Sequence, residues 1–264
     1  YNSAESTTST LTSGANNTST TFDGIIKDNT GTGGIVAVVK SGTGTLTLSG
    51  TNTYSGGTVV RAGNIYADNS SAFGSGSITL GNTTGTGAAG IYGDATGSLT
   101  ITNAIILATN SNYPTITIGN TSAVSSGTTT FTGGVTGANN FIIANNGAGA
   151  LLFSGSAINN TGSITNSGSG AGRTTINARI GAPVFGDVNV TNVVQNGTSP
   201  LYLGFQGNVW NGTTTITSGK IVTTANYSIS DPSEYNAVIV NDTLDLLGTS
   251  QRIGDLSGSG TITT

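Results

Sequence analysis

Val39-Lys40-Ser41-Gly42-Thr43-Gly44-Thr45-Leu46-Thr47-Leu48-Ser49-Gly50, running on through Thr51-Asn52-Thr53-Tyr54-Ser55-Gly56-Gly57-Thr58-Val59-Val60-Arg61-Ala62-Gly63-Asn64-Ile65-Tyr66, reads as strand, turn, strand, turn, strand. Leu46 and Leu48 alternate with Thr45 and Thr47, the period-two pattern of a strand with one buried face. Thr58-Val59-Val60 is β-branched and fits a pleated surface. Gly50, Gly56-Gly57 and Gly63 punctuate the strands, as expected where the chain turns, because glycine takes positive φ without steric cost. Three short strands joined by glycine corners describe one coil, and part of the next, of a β-solenoid.

The unit recurs. Leu151-Leu152-Phe153-Ser154-Gly155 repeats Leu46-Thr47-Leu48-Ser49-Gly50, and at the same offset Gly162, Ile164 and Gly168 fall on Gly57, Val59 and Gly63. A third copy follows Leu201-Tyr202-Leu203. Its Asn208, Trp210, Gly212, Thr214, Ile216, Gly219 and Ile221 fall on Asn52, Tyr54, Gly56, Thr58, Val60, Gly63 and Ile65. The repeats therefore lie near 40–66, 146–168 and 201–222. A supersecondary unit that cannot bury its own apolar face implies stacked copies.

The segment from Lys40 to Gly63 resembles the autotransporter-associated β-strand repeat, also called the passenger-associated transport repeat. Ser71-Ala72-Phe73-Gly74-Ser75-Gly76-Ser77-Ile78 is similar to the same proteins, as are Leu244-Asp245-Leu246 and Gln251-Arg252-Ile253-Gly254-Asp255-Leu256-Ser257-Gly258-Ser259-Gly260-Thr261-Ile262. The resemblance implies an all-β chain folded as a right-handed parallel β-helix on a bacterial cell surface. It brings no catalytic residues. The sequence does not carry the membrane barrel of a whole autotransporter, so the resemblance leaves the secretion route open.

Composition points the same way. The 42 glycines with 4 prolines show no three-residue period, which excludes collagen. Apolar residues at 34% and a net charge of −4 are compatible with a packed core. Charged residues are 7%, against roughly 25% in ordinary domains, so Thr, Ser, Asn and Gly must cover the surface, as in secreted β-fibrous material. The basic residues Lys27, Lys40, Arg61, Arg173, Arg179, Lys220 and Arg252 are scattered; nucleic acid, which needs clustered Lys and Arg, is not an expected partner. There is no cysteine, and no run approaches the ~18 apolar residues of a membrane helix. A chain that begins at Tyr1 reads as a processed mature form or a piece of something longer.

Residues 1–20 are rich in Ser, Thr and Asn, with Leu11 as their large aliphatic residue. They are expected to be a flexible arm or an edge strand that can be donated to a neighbour. Residues 21–264 are expected to form one continuous β-helix of about a dozen coils of about 20 residues, with packing starting at Phe22-Asp23-Gly24-Ile25-Ile26. A single helical turn is expected at Asp231-Pro232-Ser233-Glu234, where Asp caps, Pro follows and Glu stands third.

The chemistry-bearing residues are sparse. There is no His and no Cys, and the nearest acid pairs are Asp23 with Asp28, Asp231 with Glu234, and Asp242 with Asp245. On one strand the last pair would face opposite ways. We therefore expect no enzyme, no catalytic or metal-binding residues and no cofactor. The calcium-binding G-G-x-G-x-D pattern is absent, since Gly33-Gly34 leads to no Asp. Thr45-x-Thr47, Thr115-x-Thr117 and Thr215-x-Thr217 resemble ice-binding rows, but variable coil length favours ordinary outward threonines. Tyr54 and Trp210 are either sugar-stacking aromatics or covers for glycine corners, the second being preferred, and Asn52 and Asn208 are expected to satisfy turn backbone.

The structural residues are then Gly50, Asn52, Tyr54, Gly56, Gly63, Asn208, Trp210, Gly212 and Gly219. No polar cap covers either end of the solenoid in the sequence, and unpaired edges invite association. Leu11, Leu256, Thr261 and Ile262 are the expected assembly ends. The expected function is an extracellular or cell-surface structural protein whose partners are copies of itself, head to tail, and surface glycans. The alternative is a glycan-binding passenger fragment of an adhesin.

Overall fold

The computed structural model describes residues 7–29, 31, 33–110, 112, 115–124, 126–182, 189–229 and 236–264. The helical turn expected at Asp231-Glu234 lies outside them. Among the described residues every regular element is a strand, and the strands form three sheets of six, eleven and eight strands. Neighbours within each sheet run parallel, as in Leu46 against Ile65, Val38 against Thr58 and Leu151 against Thr174. The chain visits the sheets in rotation, so each coil lies on the coil before. The fold is an all-β parallel β-helix.

We call the sheets walls 1, 2 and 3, in the order in which the chain enters them. Wall 1 begins with Thr8–Ser13 and Ile35–Lys40 and ends at Val135–Gly137, after which single bridges at Ile158 and Ile180 continue its line. Wall 2 runs the whole described length, from Thr20–Phe22 to Leu256–Ser257. Wall 3 starts only at Leu99–Ile101 and continues to Thr261–Thr263. The cross-section therefore has walls 1 and 2 at one end, all three in the middle, and walls 2 and 3 at the other. The eleven strands of wall 2 at ~4.8 Å spacing give a body ~50 Å long.

Sequence alternation sets which face turns inward. In Thr45–Leu48 the two leucines are buried and the two threonines half-buried. Leu46, Ile65, Ile91, Ile118 and Ile143 then stack in register through five coils of wall 2. All belong to one continuous apolar core. Full burial of each such side chain stabilises by about 1.5–3 kcal/mol, taken as an upper estimate.

The structure adds three details. Thr8–Ser13 is an edge strand already paired, in the same chain, with Ile35–Lys40; Leu11 lies against Val38. Phe22 and Ile25 are exposed at the open end and do not start the packed body. The sequence repeats also change walls. Leu46 and Leu48 sit on wall 2 but Leu151 and Phe153 on wall 3. Val60 lies on wall 1 and its counterpart Ile216 on wall 2. The strand-corner-strand grammar is kept, but it is entered one wall later, because the first coils have two described strands and the middle coils three.

Candidate functional site

The repeated corner is built on a buried asparagine. Asn52 Oδ1 accepts from the Ile26 N–H at 2.7 Å and its Nδ2 donates to the Ala72 carbonyl at 2.8 Å. Asn208 Oδ1 accepts from the Ile180 N–H at 2.8 Å and its Nδ2 donates to the Ser228 carbonyl at 2.8 Å. Each amide thus ties its coil to the one before and the one after. Tyr54 and Trp210, two residues on, are both fully buried. The Tyr54 hydroxyl bonds to Thr58 Oγ1 at 2.6 Å, and Trp210 Nε1 has no partner. Burial pushes the Tyr54 hydroxyl up to about 12, against the Thr58 bond that lowers it. Neither ring can meet a ligand, so the sugar-stacking alternative is excluded at these two positions.

The repeat glycines act mainly by lacking a side chain. A Cβ at Gly50, Gly56 or Gly212 would collide with a carbonyl of the preceding coil, Gly24, Val36 and Thr191 respectively, although none of the three has positive φ. Gly63 and Gly219 combine close approach with positive φ of 70° and 79°. Beside Gly63 the Lys40 ammonium is buried and donates to the carbonyls of Ser41 and Gly42 at 2.7 Å and of Ala62 at 3.3 Å. Burial pushes its pKa down. At Gly219 the amide nitrogen of Gln195 takes the same place and donates to Gly197 and Ser199.

The acids serve turns rather than gather. Asp28 accepts from the Val36 N–H at 2.7 Å and from the Ser55 hydroxyl and N–H at 2.6 and 3.0 Å. Burial works against its charge, but these bonds outweigh it and hold the carboxyl below its ordinary value. Asp23 accepts from Ser49 at 2.5 Å. Asp242 accepts from the Gly219 N–H at 2.8 Å, while Asp245 faces Lys220 at 3.3 Å. Among the described residues no three acids stand together in a way that could hold a metal ion. The three T-x-T pairs do share wall 2, but Asn64 with Tyr66 and Gly90 with Tyr92 lie on the coils between the first two pairs, so the threonines form no continuous array.

The outer face of wall 2 holds a feature that sequence reasoning missed. Thr47, Tyr66 and Tyr92 follow one another in register on three coils. The two tyrosine rings meet edge to face, with centroids 5.4 Å apart and planes at 70°. Burial raises both hydroxyl pKa values; Asp94 adds to the effect at Tyr66, and bonds with Thr45 and Thr117 oppose it at Tyr66 and Tyr92 respectively. Next to Tyr66 lies an open groove of about 510 Å³ bounded by Thr20, Thr21, Thr45, Thr47 and Asp94. The pair was legible as a local echo, Asn64-Ile65-Tyr66-Ala67-Asp68 against Gly90-Ile91-Tyr92-Gly93-Asp94.

At the ends, Leu11, Leu256 and Ile262 are 48%, 54% and 44% exposed. Leu11 lies on the first strand of wall 1, Leu256 on the last of wall 2, and Thr261 and Ile262 on the last of wall 3. An apolar hollow of about 400 Å³ opens between Leu11, Phe22, Ile25, Ile26 and Val36. The structure does not bring the two ends together.

Residues 38–65 match the family model of the passenger-associated-transport-repeat. Over 151 residues, 57% of its length, the chain is 38% identical to the "Adhesin BmaC autotransporter" of Brucella suis biovar 1 (strain 1330). It spans 4% of the length of that relative. No solved structure gives a significant match. The matched repeat contains the Lys40 corner, the Asn52-Tyr54 corner and Gly63.

Proposed function

We propose that this chain is a non-catalytic spacer: a stiff β-solenoid length of an autotransporter passenger displayed on a bacterial cell surface. The observation that carries this reading is the unbroken eleven-strand parallel wall threaded through a passenger-associated transport repeat. Its surface suits the role. Outward positions are mostly small and polar, charged residues are few, and the described acids Asp23, Asp28 and Asp242 are engaged by turn donors. A spacer needs length and stiffness, which stacked coils supply. The similarity to a protein named an adhesin supports surface display and leaves the contact with a host to other arguments.

The test uses the protein within its natural full-length chain. An epitope inserted beside Gly97, where a Cβ would meet nothing, should be labelled on intact cells. Deleting residues 139–161, one coil by the register of Phe141 against Ile164, should shorten the body by one coil and leave display intact. Labelling only after cells are opened would overturn the reading, as would loss of display on removal of one coil.

A second reading, the head-to-tail filament, draws support from the exposed Leu11, Leu256 and Ile262 at bare strand edges. A heterologous contact of this kind propagates. Only wall 2 is common to both ends, so its bond would set Thr20–Phe22 against Leu256–Ser257, leaving walls 1 and 3 unmatched. Electron microscopy of the purified chain separates the cases. Filaments lost on deletion of residues 1–22 support it, and monodisperse monomers at high concentration overturn it.

A further inference from the structure

We infer that the outer face of wall 2 around Tyr66 and Tyr92 is a binding site for a neutral saccharide. The inference does not depend on the spacer reading.

The geometry begins at Gly90. A Cβ placed there would stand 2.7 Å from Cε2 of Tyr92 and 2.7 Å from Oδ1 of Asn64. The Tyr92 ring therefore reclines over the glycine, occupying the space a side chain would need. Tyr66, one coil back in the same register, meets that ring at 70°. The result is a floor and a wall made of two aromatic rings, raised on a rigid sheet. A ring face carries negative quadrupole density and its edge positive. The axial C–H face of a pyranose is weakly positive and apolar, so it fits the floor.

The polar surroundings complete the match. Thr20, Thr21 and Thr47, on the two coils before Tyr66, supply hydroxyls to the groove and Asp94 a carboxylate, while Thr45 and Thr117 hold the Tyr66 and Tyr92 hydroxyls. One carboxylate oxygen of Asp94 already accepts from the Thr121 hydroxyl, which fixes its direction. Hydroxyls of a sugar can donate to the carboxylate and exchange bonds with the threonines. Sites of this kind join an apolar platform to a few placed polar groups.

Charge selects among occupants. Asp94 bounds the groove, Asp68 precedes it at the equivalent place one coil back, and Asp23 lies a further two coils back, beside Ser49. Arg61 stands at the opposite corner, before Gly63. This acidic margin repels phosphate and nucleic acid, and it repels sialylated or uronate-containing glycans equally. A protein partner would seek a larger apolar patch than two tyrosines provide. The neutral saccharide is the occupant that both the rings and the rim accept.

The test is an array of neutral gluco-, galacto- and manno-oligosaccharides beside matched sialylated and uronate-containing ones, followed by titration of the best neutral probe. We expect binding to neutral members only. Tyr66→Ala and Tyr92→Ala should each weaken it at least ten-fold, Tyr92→Phe should retain it, and Asp94→Asn should admit uronate-containing probes. Tyr202→Ala, on wall 3 beside Arg173, should leave affinity unchanged. Unaltered circular dichroism and Trp210 fluorescence establish that each variant is folded. No neutral saccharide bound at millimolar concentration, equal binding by the Tyr66→Ala/Tyr92→Ala double variant, or a preference for anionic glycans would each overturn the site.

Discussion

A methyl group on Gly63 would stand 2.8 Å from the buried ammonium of Lys40. The two residues share one corner between walls 1 and 2, where the ammonium draws together carbonyls from two coils and Gly63 passes at φ 70°. The Lys40 charge is met by the dipoles of these carbonyls.

Gly63→Ala should therefore be costly twice over, in backbone strain and in collision of the new methyl with the Gly44 and Gly42 carbonyls, the second of which the Lys40 ammonium holds in place. We expect a loss of about 3 kcal/mol or more, the strain alone being roughly 1–2. Gly248→Ala isolates the strain, because Gly248 has φ 73° with open space around it. Its cost should be about 1–2 kcal/mol. Urea melts followed by far-ultraviolet circular dichroism compare the two; equal costs would refute the shared-corner account.

The asparagine corners should be separable. Asn52→Ala orphans the Ile26 N–H and the Ala72 carbonyl, and Asn208→Ala orphans those of Ile180 and Ser228. Leaving buried backbone groups unpaired costs about 2–4 kcal/mol at the Asn208 corner, and less at the Asn52 corner, where the Ile26 amide is part-buried. Coils touch only their neighbours, so the two effects should add. Hydrogen exchange should rise at the Ile26 amide in the first variant and at Ile180 in the second. Accelerated exchange at both sites in either variant would show longer coupling than stacking predicts.

Tyr54 sets an alkaline limit. Its folded pKa, about 12, exceeds the ordinary 10, so the folded state holds the proton that the unfolded chain releases. The stability this represents is present below pH 10 and drains away between pH 10 and about 12, by up to about 1.4 kcal/mol per pH unit. Tyr54→Phe should flatten that stretch of the profile. At neutral pH it should lose about 1 kcal/mol with the Thr58 bond. An unchanged alkaline profile would show that Tyr54 is not the group responsible.

What the sequence disclosed follows from which forces are local. Thr45–Leu48 was legible because alternation is a property of consecutive side chains. Ala89–Gly93 was not, because small residues hide the pattern, and its strand exists through pairing with Gly63–Ala67. The Asn-x-aromatic corner was legible as a repeat, but which wall follows it depends on how many strands the coil holds. Tyr66 and Tyr92 become neighbours only through register, and register is set by the length of residues 68–88, which carry the wall 1 strand Ile78–Leu80. The paired Ile-Tyr echo was the available signal. Tyr54 and Trp210, more conspicuous in the sequence, are placed by the same repeat inside the wall.

The exchange of wall 1 for wall 3 also governs how the rod would respond to force. Ladder bonds in a parallel solenoid point along its axis, so tension applied end to end loads the coils in series. Resistance is then set by whichever coil has the fewest paired residues, and adding length adds no strength. Leu256–Ser257 pairs through two residues on wall 2 and Thr261–Thr263 through three on wall 3, against six and three for Thr8–Ser13 and Thr20–Phe22 at the other end. Pulled from both ends, the described body is expected to peel from its C-terminal side, one coil at a time, yielding a sawtooth of small steps in place of a single rupture.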